Sequence, residues 1–258
     1  QILPSRDSGG EFARGRATCG AAAGYYARAL MFRHKYDEAL TVLKAIIGGT
    51  YGHYELMADY GDNFREGTAY ENNAESLYEV QYLDYGQQGT DDEWTPVNVS
   101  SNATNGHAVE SNFAPAYFGG WADLSMAPWL YDLFKSETCT DGTIDPRLYW
   151  TSSVYEPDYN FYKGAHTAAY PNGDVRDNVV YMQEITEETK DLICTNTANG
   201  GIPIAKHTYA RLNTTSSVVT GLHCGVNLRM MRYSDVLLRA AECINEVSGP
   251  TAEAIGYI

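Results

Sequence analysis

The sequence predicts a mostly helical protein with helical hairpins at both ends and a long loop-rich insertion between them that carries short strands. Apolar residues recur at helical spacing from Arg16 to Ile47 and again from Asn227 to Val247. Between them, residues 51–225 break into short apolar runs separated by Gly, Asn, Asp and Thr clusters. The insertion also holds most of the aromatic residues, in polar rather than apolar surroundings.

The first helix is rich in Ala and places Tyr25, Tyr26, Leu30 and Met31 at helical spacing, and the second does the same with Ala39, Leu40, Leu43 and Ile46. Arg33-His34-Lys35-Tyr36-Asp37 forms the turn, and Gly48-Gly49 stops the second helix. The pair resembles a tetratricopeptide repeat, with small Ala27 at the helix approach, Tyr36 at the turn, then Ala39 and Leu43. His34 stands where the repeat often has Gly. An antiparallel helix pair of any bundle would read the same way.

Leu77 to Tyr82 alternates as a short strand. Pro128 to Lys135 reads as a helix with Pro in its first turn and Trp129, Leu130, Leu133 and Phe134 on its buried side. Tyr85–Gly120 and Tyr155–Asp177 read as long loops. Asn227 to Val247 is expected as one long helix with Val236, Leu237, Ala240, Ala241, Ile244 and Val247 inward, stopped by Ser248-Gly249-Pro250. A further helix opens at Thr251 with its apolar pattern still running at Ile258, so the chain is expected to be a piece of a longer protein. The expected organisation is one domain over residues 1–258: a tetratricopeptide-like helix pair over 13–50, a ligand-binding loop region over 51–225, and further repeat-like helices over 226–258.

The chain carries 18 basic and 33 acidic residues, a net charge of −15 that repels phosphate backbones and excludes nucleic acid as an expected partner. No apolar run reaches the roughly 18–20 residues of a membrane-spanning helix, and any export signal is expected outside this chain. The five cysteines form no C-x-x-C pair and are expected mostly free. Asp141, Asp145 and Glu137 do not meet the spacing of an EF-hand, and no cofactor or metal is expected. Zinc-protease, phosphate-loop and nucleophile-elbow motifs are absent, so the chain is expected not to be an enzyme. Two carboxylates suffice for a glycosidase, which keeps that reading as an alternative.

Tyrosine dominates the aromatics: 21 Tyr against 7 Phe and 4 Trp. A ring with a polar tip suits ligands that are part apolar face and part hydroxyl, as sugars are.

Three ordered segments resemble the SusD/RagB family of Bacteroidetes surface lipoproteins. The first runs through Gly15-Arg16-Ala17-Thr18, Lys35-Tyr36-Asp37-Glu38-Ala39-Leu40, Tyr60-Gly61-Asp62-Asn63-Phe64 and Glu71 to Tyr82. The second is Gly119-Gly120-Trp121, the helix after Pro128, and Asp141 to Leu148. The third is Asn227-Leu228-Arg229, then Arg232-Tyr233-Ser234-Asp235-Val236-Leu237-Leu238 and Ala241 to Glu246. The resemblance implies a SusD-like fold and a non-catalytic, lipid-anchored protein on the extracellular face of the outer membrane. It also implies capture of a glycan and delivery to a SusC-like TonB-dependent transporter. A peptide-binding repeat scaffold is the other alternative.

A glycan site stacks a sugar's C–H face on an aromatic ring while a few amides and carboxylates bond the hydroxyls. Residues of that kind, set among Asn, Asp and Gly, are Trp94, Asn98, Tyr117, Phe118, Trp121, Tyr155, Tyr159 and Tyr170. Trp129 and Trp150 sit in apolar settings and are expected in the core. The acidic balance favours neutral glycans over sulfated or uronate-rich ones.

Overall fold

A computed structural model describes residues 3–8, 15–64, 69–82, 109–113, 121, 123–143, 145–152, 201–204, 206 and 226–258. The chain divides into two compact units, residues 1–57, 68–81 and 227–258 in one, 58–67 and 82–226 in the other.

The first unit contains helices α1 (Cys19–Phe32) and α2 (Tyr36–Ile47), strands β1 (Ser76–Val80) and β4 (Leu228–Arg232), and helices α6 (Tyr233–Ser248) and α7 (Ala252–Gly256). Thr18 starts α1 by accepting the Ala21 N–H at 3.2 Å. The tight turn to α2 places His34 at φ +56°, a left-handed conformation in which Gly is at ease and His is not, so the repeat's usual glycine has a steric reason. His34 Nδ1 and the Tyr36 hydroxyl stand 3.0 Å apart across that turn.

α2 lies between α1 and α6. Small Ala27 and Ala39 let the backbones approach, and both are fully buried with Leu43, Val236, Ala240 and Cys243. Leu30, Met31, Ile46, Leu77 and Met231 complete this core. The second helix of the hairpin thus turns Ala39, Leu43 and Ile46 inward, as its spacing predicts. Lys44 meets Glu253 at 2.7 Å, tying α2 to α7, but both side chains are about half exposed and the pair adds little stability.

One expectation is corrected here. Residues 228–232 are a strand, and the helix begins only at Tyr233. β4 pairs antiparallel with β1, with Glu79 opposite Arg229 and Ser76 opposite Arg232. The Tyr233 N–H donates to Glu75 O at 2.7 Å, and the Asp235 carboxylate accepts the Arg232 N–H at 2.8 Å. These two bonds fix the junction where strand becomes helix. Val247 is also exposed rather than inward, whereas Val236, Ala240, Ala241 and Ile244 are buried as expected.

Charged groups are buried along this ribbon. Glu79 Oε1 lies 3.4 Å from Arg229 Nε, while Oε2 accepts the Asn72 N–H and the Asn227 side-chain amide at 3.0 and 2.9 Å. Glu75 Oε1 accepts from Arg232 and Ser234 at 3.0 and 2.9 Å, and its Oε2 accepts the Met57 N–H at 3.1 Å. Such groups stay inside only because each finds a partner.

Among the described residues Cys19, Cys139 and Cys243 are free, and Cys194 and Cys224 lie outside them. Burial, with Glu242 nearby, pushes the Cys243 thiol up to about 11. At pH 8 only about 0.1% of it is thiolate, so a thiol reagent is expected to leave Cys243 untouched until the protein is unfolded in urea. Labelling of Cys243 at the rate of an exposed thiol would show that α6 does not bury it.

In the second unit the described elements are a 3-10 turn (Tyr60–Phe64), α3 (Val109–Phe113), β2 (Ser125–Met126), α4 (Pro128–Ser136), α5 (Pro146–Thr151) and β3 (Ile202–Pro203). α5 packs against both the 3-10 turn and α4, with Leu148 fully buried.

Candidate functional site

Trp121 is the one expected ligand contact that the structure places, and it is 46% exposed. Trp94, Asn98, Tyr117, Phe118, Tyr155, Tyr159 and Tyr170 lie outside the described residues, as do most of the loops that carry them.

Downstream of Trp121, the Leu124 N–H donates to Asn112 O at 3.0 Å, fastening the approach to β2 onto α3. β2 pairs antiparallel with β3, Ser125 opposite Pro203 and Met126 opposite Ile202. Gly201 is required at the start of β3, because a Cβ there would lie 2.0 Å from Ser125 Oγ. Met126 is buried and anchors the ribbon, leaving Asp123 and Leu124 exposed beside Trp121 in sequence.

Pro128 then opens α4 at the position where its missing N–H costs nothing. The helix is where the sequence predicts it, but its buried side is not. Tyr131 is buried, with the Lys135 ammonium 5.5 Å from its ring, whereas Trp129 is 67% exposed and Leu133 about half exposed. The expectation that Trp129 belongs to the core is corrected: the apolar positions span more of the helix than its neighbours cover. Its spacing gives the stripe, and only the packing partner says which edge is covered. Trp150 lies in α5, and its side chain is outside the described residues.

After α4, Asp141 Oδ1 accepts the Thr143 N–H and hydroxyl at 2.9 and 2.7 Å, bonds that hold its carboxyl below the ordinary carboxylate value. Asp145 caps α5 by accepting the Arg147 N–H at 2.8 Å and pairs with the Arg147 guanidinium, 2.8 Å from Nε. Burial would raise the Asp145 carboxyl, but the bonds from Arg147 outweigh it and hold it below the usual value. Asp145-Pro146-Arg147 is thus a capped turn with a paired arginine. Among the described residues no three His, Cys, Asp or Glu side chains gather as a metal cluster, and no helix is long and apolar enough to cross a membrane.

The described part of this unit therefore offers exposed indole faces near exposed carboxylates, Asp123 by Trp121 and Asp132 by Trp129 in sequence. Such an arrangement can stack a partly apolar ring and accept hydrogen bonds from its hydroxyls.

The sequence pattern of the SusD family matches residues 74–258, more than two thirds of the chain. The chain belongs to the SusD family. That span includes the arginine-tyrosine-aspartate-leucine segment of α6 and the Gly119–Leu148 segment. Among solved structures, a SusD superfamily protein from Bacteroides vulgatus superposes with a TM-score of 0.61 at 22% identity, over 95% of this chain and 42% of that one. Surface glycan-binding protein A from Bacteroides thetaiotaomicron, in complex with laminarihexaose, gives 0.59 at 21% identity, over 99% and 48%. A SusD-like carbohydrate binding protein from Bacteroides fragilis gives 0.59 at 20%, over 99% and 46%. The chain spans less than half the length of these structures, and at such identities the likeness establishes the SusD fold. No curated protein matches the sequence.

Proposed function

We propose that this SusD-family chain is part of a cell-surface, lipid-anchored protein of the outer membrane that captures oligo- or polysaccharide and delivers it to a SusC-like TonB-dependent transporter, without catalysing a reaction. The observation that carries the reading is Trp121, an indole left half open to water in the aromatic-rich insertion of a SusD-family fold. Leaving so large an apolar face in water forgoes burial worth about 25 cal/mol per Å2 of apolar surface, so a ligand that covers it recovers that energy. The laminarihexaose bound by one structural relative supports a glycan as that ligand. The net charge of −15 supports a neutral one.

The test is a glycan array on the full-length protein, followed by calorimetry with the best hit and a reducing-sugar assay on the same mixture. Trp121→Ala is expected to weaken binding about tenfold or more, the loss of one central aromatic contact, with Trp94→Ala as a second variant. Release of new reducing ends would convert the reading to a glycoside hydrolase. Failure to bind any glycan, with retention of a peptide library instead, would replace it by a peptide-binding repeat scaffold.

A further inference from the structure

Resting on the glycan-capture reading, we propose that the outward face of α4, Trp129 with Asp132 and Leu133, is a second glycan contact that takes a further sugar of the ligand held at Trp121. The orientation of α4 is set by its one buried residue. Tyr131 packs inward, and α4 lies against α5. Successive helix residues are about 100° apart, so Trp129 and Leu133, each two positions from Tyr131, stand about 200° from it and face outward. Both are exposed, the indole by 67%. Lys135 belongs to the Tyr131 side of the helix, with its ammonium 5.5 Å from that ring.

Asp132 and Leu133 follow Trp129 at the three- and four-residue spacings that make helix side chains neighbours. Further along the chain, the Asp141 and Asp145 carboxylates are occupied in their own turns by Thr143 and Arg147. The Asp132 carboxylate is exposed and has no such partner among the described residues. Ser136, on the same face, donates its hydroxyl to Leu133 O at 2.8 Å. The face thus offers an indole, an apolar neighbour and a hydrogen-bond acceptor, and no basic side chain. That set suits a ligand with apolar C–H faces and hydroxyls that donate. It suits an extended peptide poorly, because a peptide's main chain needs donors and acceptors that a helix has already spent on itself.

Trp121 and Trp129 are eight residues apart, at most about 29 Å even along a fully extended chain. Two weak contacts on one ligand reinforce each other, because the second forms within a chain that is already bound. An indole carried by a helix is also held more firmly than one on a loop, so Trp129 fixes where along the glycan the second contact falls.

Calorimetry on the full-length protein, with the best array hit and with a disaccharide of the same linkage, tests this. The parent is expected to bind the longer glycan more tightly. Trp129→Ala is expected to weaken that binding about fivefold or more while holding the disaccharide's affinity within about twofold, and Trp121→Ala to weaken both. Asp132→Ala is expected to lose about two- to fivefold on the longer glycan. Phe32→Ala, which removes an exposed ring from the first unit, is expected to bind as the parent does. Because Trp129 is exposed, its removal is expected to leave Tm within about 2 °C. Unchanged binding in Trp129→Ala, with Trp121→Ala still weakened, would overturn the second contact and leave glycan capture standing. Loss of co-purification with the outer-membrane transporter in that same variant would then give the face to a protein partner. A parent that binds no glycan would overturn both readings. A Tm several degrees lower in Trp129→Ala would also overturn the second contact, since a packed indole is not open to a ligand.

Discussion

Replacing Glu79 by alanine is expected to destabilise the folded protein by about 3–5 kcal/mol, the cost of stranding a buried charge. Arg229 is the charge in question, with only 4% of its side chain exposed against none for Glu79. Its terminal nitrogens donate to Asn227 O at 3.1 Å and Tyr70 O at 2.9 Å, which satisfies hydrogen bonds but supplies no negative charge. Burial pulls the Arg229 pKa down, and the Glu79 and Glu71 carboxylates are what oppose it. Arginine does not give up its proton, so the variant keeps a buried guanidinium that has lost its foremost carboxylate, and the Asn72 N–H and Asn227 amide lose their acceptor as well. The measurement is a urea titration, with the midpoint falling and the slope unchanged. Glu79→Leu combined with Arg229→Met is expected to recover the part of the loss that comes from the stranded charge, while the Asn72 N–H and Asn227 amide stay without their acceptor. A loss below about 1 kcal/mol for the single variant would mean that Arg229 reaches water in the folded state.

Leu43→Ala is expected to cost about 2–5 kcal/mol, the usual range for emptying a core site. Leu43 has no exposed surface and sits in α2 between α1 and α6, where rigid helix backbones on both sides limit collapse into the space. Phe32→Ala is the matched control. It removes more atoms, but Phe32 is 75% exposed and its only close partner described is the Arg28 guanidinium, 5.8 Å from the ring. A change within about 0.5 kcal/mol is expected there. Equal losses at the two positions would contradict the hairpin packing, since the difference between them rests on which face of each helix is covered.

The hairpin was legible because its signals are local. The spacing of Ala39, Leu43 and Ile46 defines one face of a helix, Gly48-Gly49 ends it, and Pro128 and Thr251 mark helix starts that the structure confirms. The family was legible for a related reason: its motifs lie in the helices, strands and turns that hold the scaffold. The candidate site was far less so. Trp121 could be singled out by its chemistry, but the same chemistry in Trp129 was assigned to the core, because an apolar stripe does not say whether a neighbour covers it.

The sequence by itself therefore determined the mostly helical class, the hairpin and its turn, the SusD-family membership and the acidic character of the chain. Tertiary structure alone decided that residues 228–232 are a strand, that Glu79 and Arg229 are buried partners, and that Trp129 faces solvent. The physical reason is range. A helix closes its hydrogen bonds within four residues and writes its period into neighbouring side chains, whereas β4 finds its partner only when β1, some 150 residues earlier in the chain, lies alongside it. A charge such as Glu79 reads as a surface residue until that pairing supplies the guanidinium and amides that allow it inside.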